Sequence, residues 1–204
     1  MYGWGASPAE RISALPADDL VDPGVPYTTR ALTIDAPAEQ VWPWLVQIGE
    51  GRGGFYSFDV LERAVGADIR NVDTVHGEWQ DLRVGDTIWL ARRYGERGCL
   101  VVADLAPNTR LVLVSRDDYT RLQRGEQARG AWAFHLQRRG ERTRLIVRGS
   151  GGAVGDTAFD VAHFIMERKM MSGIRHRAER VWAESSRDKV CHLLESLPAT
   201  KATP

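Results

Sequence analysis

TIDAPAEQVWPWLVQIGEGRGG, residues 33–54, couples the end of a strand to a helix and then to a glycine-rich connection carrying a single arginine. From Thr29 to Asp35, Leu32 and Ile34 alternate with Ala31, Thr33 and Asp35, the period of two that a strand imposes on its faces. Asp35 then offers a helix cap, and Pro37 suits a first helical turn, where its missing N–H would be unpaired in any case. Val41, Trp42, Trp44, Leu45 and Ile48 form an apolar stripe at helical spacing. Pro43 inside that stripe removes one intrahelical hydrogen bond, so the pattern predicts a short or kinked helix.

Gly49, Gly51 and Gly54 spell G-x-G-x-x-G. A dinucleotide site needs a strand before that motif, a helix opening from it and an acidic residue about 20 positions on. Here a helix precedes the motif, and Asp59 and Glu62 come too soon, so the glycines read as turn residues.

The 204 residues suffice for one well-packed domain with extensions. The 27 basic and 27 acidic residues balance, which removes any global pull toward nucleic acid or an anionic membrane. No apolar run reaches the length of a membrane span, and Met1 to Leu15 lacks the layout of a signal peptide. A soluble cytoplasmic protein is therefore expected, with no membrane insertion and no nucleic-acid partner. Cys99 and Cys191 stand in unrelated contexts and form neither a disulfide framework nor a metal pair.

Residues 1–27 read as an irregular arm with a helical turn at Pro8 to Ala14 and one large anchor, Trp4, that packs back on the body. Phe58, Leu61 and Val65 predict a helix over Ser57 to Val65, stopped by Gly66, and Asp68 to Val84 reads as a loop bordering a pocket. Strands follow at Asp86 to Ala91, Gly98 to Leu105, Arg110 to Arg116, Arg129 to Arg138 and Arg142 to Gly149. Turns at Gly95 to Gly98, Pro107-Asn108 and Arg139-Gly140 punctuate an antiparallel meander. Trp132, Phe134 and Leu136 share the large-aromatic inner face, and His135 points to the outer one. Asp156 to Trp182 carries the strongest helical stripe, Phe159, Ala162, Met166, Met170, Ile174, Ala178 and Val181, with a short continuation helix at Ser185 to Leu197. The class is α+β, a sheet curling around the last helix: an arm (1–27), a ligand-binding domain (28–184) and a helical extension with tail (185–204).

The runs ALTIDAPAEQVWPWLVQIGEGRGGFYSFDVLE, EWQDLRVGDTIWL and HFIMERKMMSGIRHRAE resemble the SRPBCC superfamily, also called START-like or helix-grip, and particularly its bacterial branch labelled polyketide cyclase/dehydratase. The similarity runs from about Trp4 to about Arg180 and is specific to the fold rather than to a reaction. It implies a curved antiparallel sheet wrapped around a long C-terminal helix, with an internal apolar cavity for a hydrophobic small molecule.

Within such a cavity the candidate chemistry falls on four residues. Arg52, in the glycine turn, suits a carboxylate or an enolate oxygen, or else a structural salt bridge to Asp59 or Glu62. Tyr56 and Asp59 lie beside it, and Asp59 and Glu62 share a helix face where paired carboxylates can divide acid and base roles. His76 is the histidine best placed for general acid or base work, with an exposed loop histidine as its bland alternative. Trp79, Trp89, Trp132, Phe134, Phe159, Met166 and Met170 are the expected cavity wall, the methionines suiting irregular apolar ligands. His163 and Glu167 lack a visible third ligand and read as a hydrogen-bonded or surface pair, so no metal, nucleotide or other cofactor is expected. Two functions stay open: a cyclase or dehydratase in which Arg52 and Tyr56 steady an enolate while His76 or Asp59 moves the proton, and a non-catalytic binder or carrier. A protein-interaction module presenting Trp79 and Trp89 stands behind both.

Overall fold

The structure, a computed structural model, describes residues 2–58, 68–151 and 157–195, except for the side chains of 157–160, 162 and 189–195. The helix expected over Ser57 to Val65 falls mostly on 59–67, so Asp59 and Glu62 lie outside the described residues. In chain order the elements are α1 (Pro8–Ile12), β1 (Tyr27–Ile34), α2 (Ala38–Val46), β2 (Thr87–Trp89), β3 (Cys99–Ala106), β4 (Arg110–Val114), α3 (Arg116–Gln123), β5 (Ala131–Arg139), β6 (Arg142–Ser150) and α4 (Thr157–Glu195).

The strands form one open six-stranded sheet in the order β1-β6-β5-β4-β3-β2. Every neighbouring pair is antiparallel, β1 and β6 running in register from Tyr27↔Ser150 to Ile34↔Thr143. The alternation read from the sequence decides which face is which. Leu32, Ile34, Phe134, Leu136, Leu145 and Val147 point into one core, which Met170, Met171, Ile174 and Ala178 of α4 close from the other side.

The helix α2 is nine residues long, as Pro43 required, but its cap differs from expectation: Pro37 occupies the N-cap position. Asp35 instead pairs its carboxylate with Arg142 at 2.9 Å and donates its N–H to Glu179 on α4. The expected break in the last helix is also corrected, since α4 runs unbroken for 39 residues, about 58 Å at 1.5 Å per residue. Ala183 to Glu195 contains neither glycine nor proline, so nothing local stops it. Nothing in the sequence reading anticipates α3. Its one buried residue is Asp118, so it carries no apolar stripe to betray it.

The arm packs on the outer face of the sheet. Ser7 and Glu10 form a capping box that starts α1. Glu10 then pairs with Arg144 of β6 at 2.8 Å, and Asp18 pairs with Arg148. The Arg144 hydrogen bond is the main reason the Glu10 carboxyl is held down at about 2. Beneath this cover, His135 does point outward, yet it is 3% exposed. At the edge of the sheet, Thr29 and Ala31 donate their N–H groups to the carbonyls of Tyr2 and Trp4, and the Trp4 ring sits edge-on to Phe164 of α4.

Candidate functional site

Thr28, Gly149 and Trp132 are cross-strand neighbours on β1, β6 and β5. They continue the inner faces that Leu32, Val147 and Phe134 occupy further along. At Gly149 the row has no side chain, and a methyl group there would meet only Thr28 Oγ1, 3.5 Å away. The space left between this part of the sheet and the first half of α4 is a partly open cavity of about 650 Å³. Phe55, Leu100, Leu113, Trp132, Met166 and Met170 supply most of its apolar wall.

A compact polar cluster stands on the same wall. Arg30 and Glu167 form an ion pair in which each side chain is 1% exposed. The Trp132 indole Nε1–H donates to Glu167 Oε1 at 2.7 Å, giving the carboxylate a second donor. His163 Nδ1 lies 3.5 Å from Arg30 Nη1. A guanidinium has only donors, so a hydrogen bond here makes Nδ1 the acceptor. The Phe164 ring stands 5.4 Å from Arg30 Cζ, an aromatic face against a cation.

Of the wall expected from sequence, Trp132, Met166 and Met170 line the cavity. Phe134 packs 4.8 Å from Trp132 but is fully buried in the core. Trp79 stacks on His76 at 4.4 Å, and Trp89 lies under the Arg92 guanidinium, both off the wall. The side chain of Phe159 is outside the described residues.

The four candidate catalytic residues fare differently. Arg52 spends Nη2 on the carbonyls of Val46 and Trp79, at 2.9 and 2.6 Å, tying the end of α2 to the following loop. Burial pulls its guanidinium below the ordinary value, and its Nε has no partner among the described residues. The Tyr56 hydroxyl donates to Trp44 O at 3.0 Å and accepts from Gln47 Nε2 at 2.9 Å, and burial raises its pKa. The glycine turn that carries both closes through Gly49 and Gly54, which exchange backbone hydrogen bonds at φ of 125° and 77°. His76 faces Thr74 and Glu78 near the surface. Neither Arg52, Tyr56 nor His76 lines the cavity, and Asp59 is outside the described residues.

Sequence reasoning missed Arg30 and set aside His163 and Glu167. The signal for Arg30 was the same alternation that places Leu32 and Ile34 inside, extended two residues upstream. Glu167 is four residues from His163 and next to Met166, at the border of the apolar stripe of α4. Among the described residues there is no cluster of three His, Cys, Asp or Glu able to hold a metal, and no helix long and apolar enough to cross a membrane.

The fold, an open antiparallel sheet holding a long C-terminal helix with a cavity between them, is a helix-grip-like α+β arrangement. At the level of sequence, no family model matches the chain and no curated protein matches it. Similar solved structures include protein NE0264 from Nitrosomonas europaea, 13% identical, covering 81% of this chain and 99% of that one at a TM-score of 0.49. Another is Aha1 from Colwellia psychrerythraea, a dimer, at 15% identity, 76% and 96% coverage and a TM-score of 0.44. The Polyketide_cyc-like protein Cgl2372 from Corynebacterium glutamicum is 15% identical over 84% of this chain and 98% of that one, with a TM-score of 0.34. With likenesses this distant, the fold rests on the chain's own topology.

Proposed function

We propose that the chain binds a hydrophobic or aromatic small molecule, polyketide-like or lipid-like, in the cavity between sheet and α4. The supporting observation is the cavity itself: about 650 Å³ between sheet and helix, with Phe55, Leu100, Leu113, Trp132, Met166 and Met170 giving it a large apolar surface and Arg30, His163 and Glu167 grouped on one side. The Arg30–Glu167–Trp132 cluster adds a charge-compensated polar patch to the wall, so it presents the ligand with no uncompensated charge.

Gly149→Leu tests this directly, because a Cβ there meets only Thr28 Oγ1 at ordinary contact distance and the rest of the side chain enters the cavity. Native mass spectrometry of protein purified from its own host is expected to find a retained small molecule, and Gly149→Leu is expected to lose it while melting at the same temperature or higher. A wild-type protein that retains nothing and takes up no apolar dye would overturn the reading.

Turnover of the bound molecule is the second reading, favoured by the His163 imidazole beside Arg30 on the cavity wall. A base and a cation in one apolar hollow can move a proton while steadying an enolate-like oxygen. In that reading the work passes from Arg52, Tyr56 and His76 to His163 and Arg30, and Arg52 and Tyr56 hold the glycine turn. A ligand that leaves the wild type chemically altered, but leaves His163→Gln unaltered, supports it; a ligand unchanged by both leaves the carrier.

A further inference from the structure

On the β2–β3 side, Leu90, Ala91, Tyr94, Arg97 and Gly98 line the cavity, and Tyr94 and Arg97 are exposed at its mouth. The 3-10 segment Arg92–Gly98 that builds this lip holds Arg92, Arg93 and Arg97 against a single acid, Glu96. Glu96 is matched by Arg116 at 3.7 Å. Arg92 lies over the Trp89 ring and Arg93 over the Tyr94 ring. Both carboxylates on the cavity wall are also engaged, Glu167 by Arg30 and Trp132, Asp118 by the Ser115 hydroxyl and the Arg129 N–H at 2.8 Å each. Among the described residues this leaves Arg97 as the one charged group of the wall with no ion pair or hydrogen bond from its guanidinium.

We propose that the ligand is an amphipathic anion, its apolar or aromatic body filling the cavity and a carboxylate or similar anionic group held at the mouth by Arg97. This rests on the ligand-binding reading above and adds the chemical class of the ligand. A guanidinium fork matches a carboxylate in shape as well as charge. Its position beside an apolar hollow, with Arg92 and Arg93 on the same lip, concentrates the field at the entrance. A neutral ligand would gain nothing from that arrangement.

Two dyes separate the ideas: anilinonaphthalene sulfonate and N-phenylnaphthylamine share an aromatic body and differ in the anionic group. Arg97→Ala is expected to weaken the sulfonate dye about three- to ten-fold at low ionic strength and to leave the neutral dye alone. Arg97→Lys should recover part of the loss, and added salt should shrink the difference. Because Arg97 is exposed, the variants are expected to melt like wild type. An unchanged sulfonate affinity in Arg97→Ala, or an equal loss for both dyes, overturns the proposal. Gly149→Leu should weaken both dyes. If it weakens both while Arg97→Ala does nothing, only the anionic end is refuted; if neither dye responds to Gly149→Leu, the cavity reading itself has failed.

Discussion

Arg30 shows how one residue sets the character of a site. A guanidinium withdrawn from water is tolerable only with a matching anion, and Glu167 supplies it from α4, 137 positions along the chain. That separation is why neither residue announces itself in the sequence: each is an unremarkable charge until folding brings them together. Glu167→Gln removes the anion and leaves the cation buried, which should lower stability by about 3–5 kcal/mol in urea unfolding. The double variant Arg30→Met/Glu167→Leu, which removes both charges, should come out close to wild type or above it. Equal losses in the two would mean that the residues act through packing rather than through their charges. The same logic explains the candidates that left the cavity. Arg52 and Tyr56 have side chains suited to chemistry, but their partners are the backbone carbonyls of Val46, Trp79 and Trp44 and the Gln47 amide, so both brace the loop rather than face the cavity.

Among the elements, α4 and the glycine turn depend on each other at Gly173. A methyl group there would stand 2.6 Å from both Cβ and O of Tyr56, so the helix is glycine where the loop touches it. Arg177, one turn on, covers the Tyr56 ring at 4.6 Å. Gly173→Ala should therefore cost about 1–3 kcal/mol in a thermal melt, although alanine is the better helix former by about 1 kcal/mol. A melting temperature that rises would show that the turn can retreat. Strands and turns were legible because alternation and breakers such as Asn108 and Gly140, both at positive φ, are local signals. The unbroken length of α4 and the existence of α3 were not, since a polar helix on a surface has no stripe to read. The hollow at Gly149 was equally hidden: a glycine inside a strand says nothing until its neighbours Thr28 and Trp132 are known.

At the scale of the whole molecule, the arm makes part of the outer face of the sheet, around Ala31, His135 and Ile146, an interior. The alternation of β5 was enough to turn His135 outward, but not to show that residues far upstream would bury it. Desolvation pulls its pKa from 6.5 to about 4, against the opposing pull of Asp18 and with help from Arg148 and Arg110, and its Nε2 has no partner among the described residues. An unfolded chain takes up that proton near 6.5 while the native one refuses it until about 4. Stability is thus fully present above 6.5 and drains as pH falls toward 4, by up to about 3 kcal/mol. Glu10, held at about 2 by Arg144, adds a further loss at lower pH, between 4.5 and 2. Urea midpoints measured across this range should fall for wild type and stay flatter for His135→Gln between 6.5 and 4; parallel curves would place the titration elsewhere. The arm has one more consequence, which concerns other copies of the chain. An open sheet is a template that a stray strand can extend, because its last ladder of donors and acceptors is free. Here the carbonyls of Tyr2 and Trp4 already occupy the Thr29 and Ala31 donors of β1, and the opposite border, β2, is three residues long. Among the described residues neither border of the sheet offers a long free strip, and a chain lacking the arm should aggregate faster at high concentration, as light scattering would read.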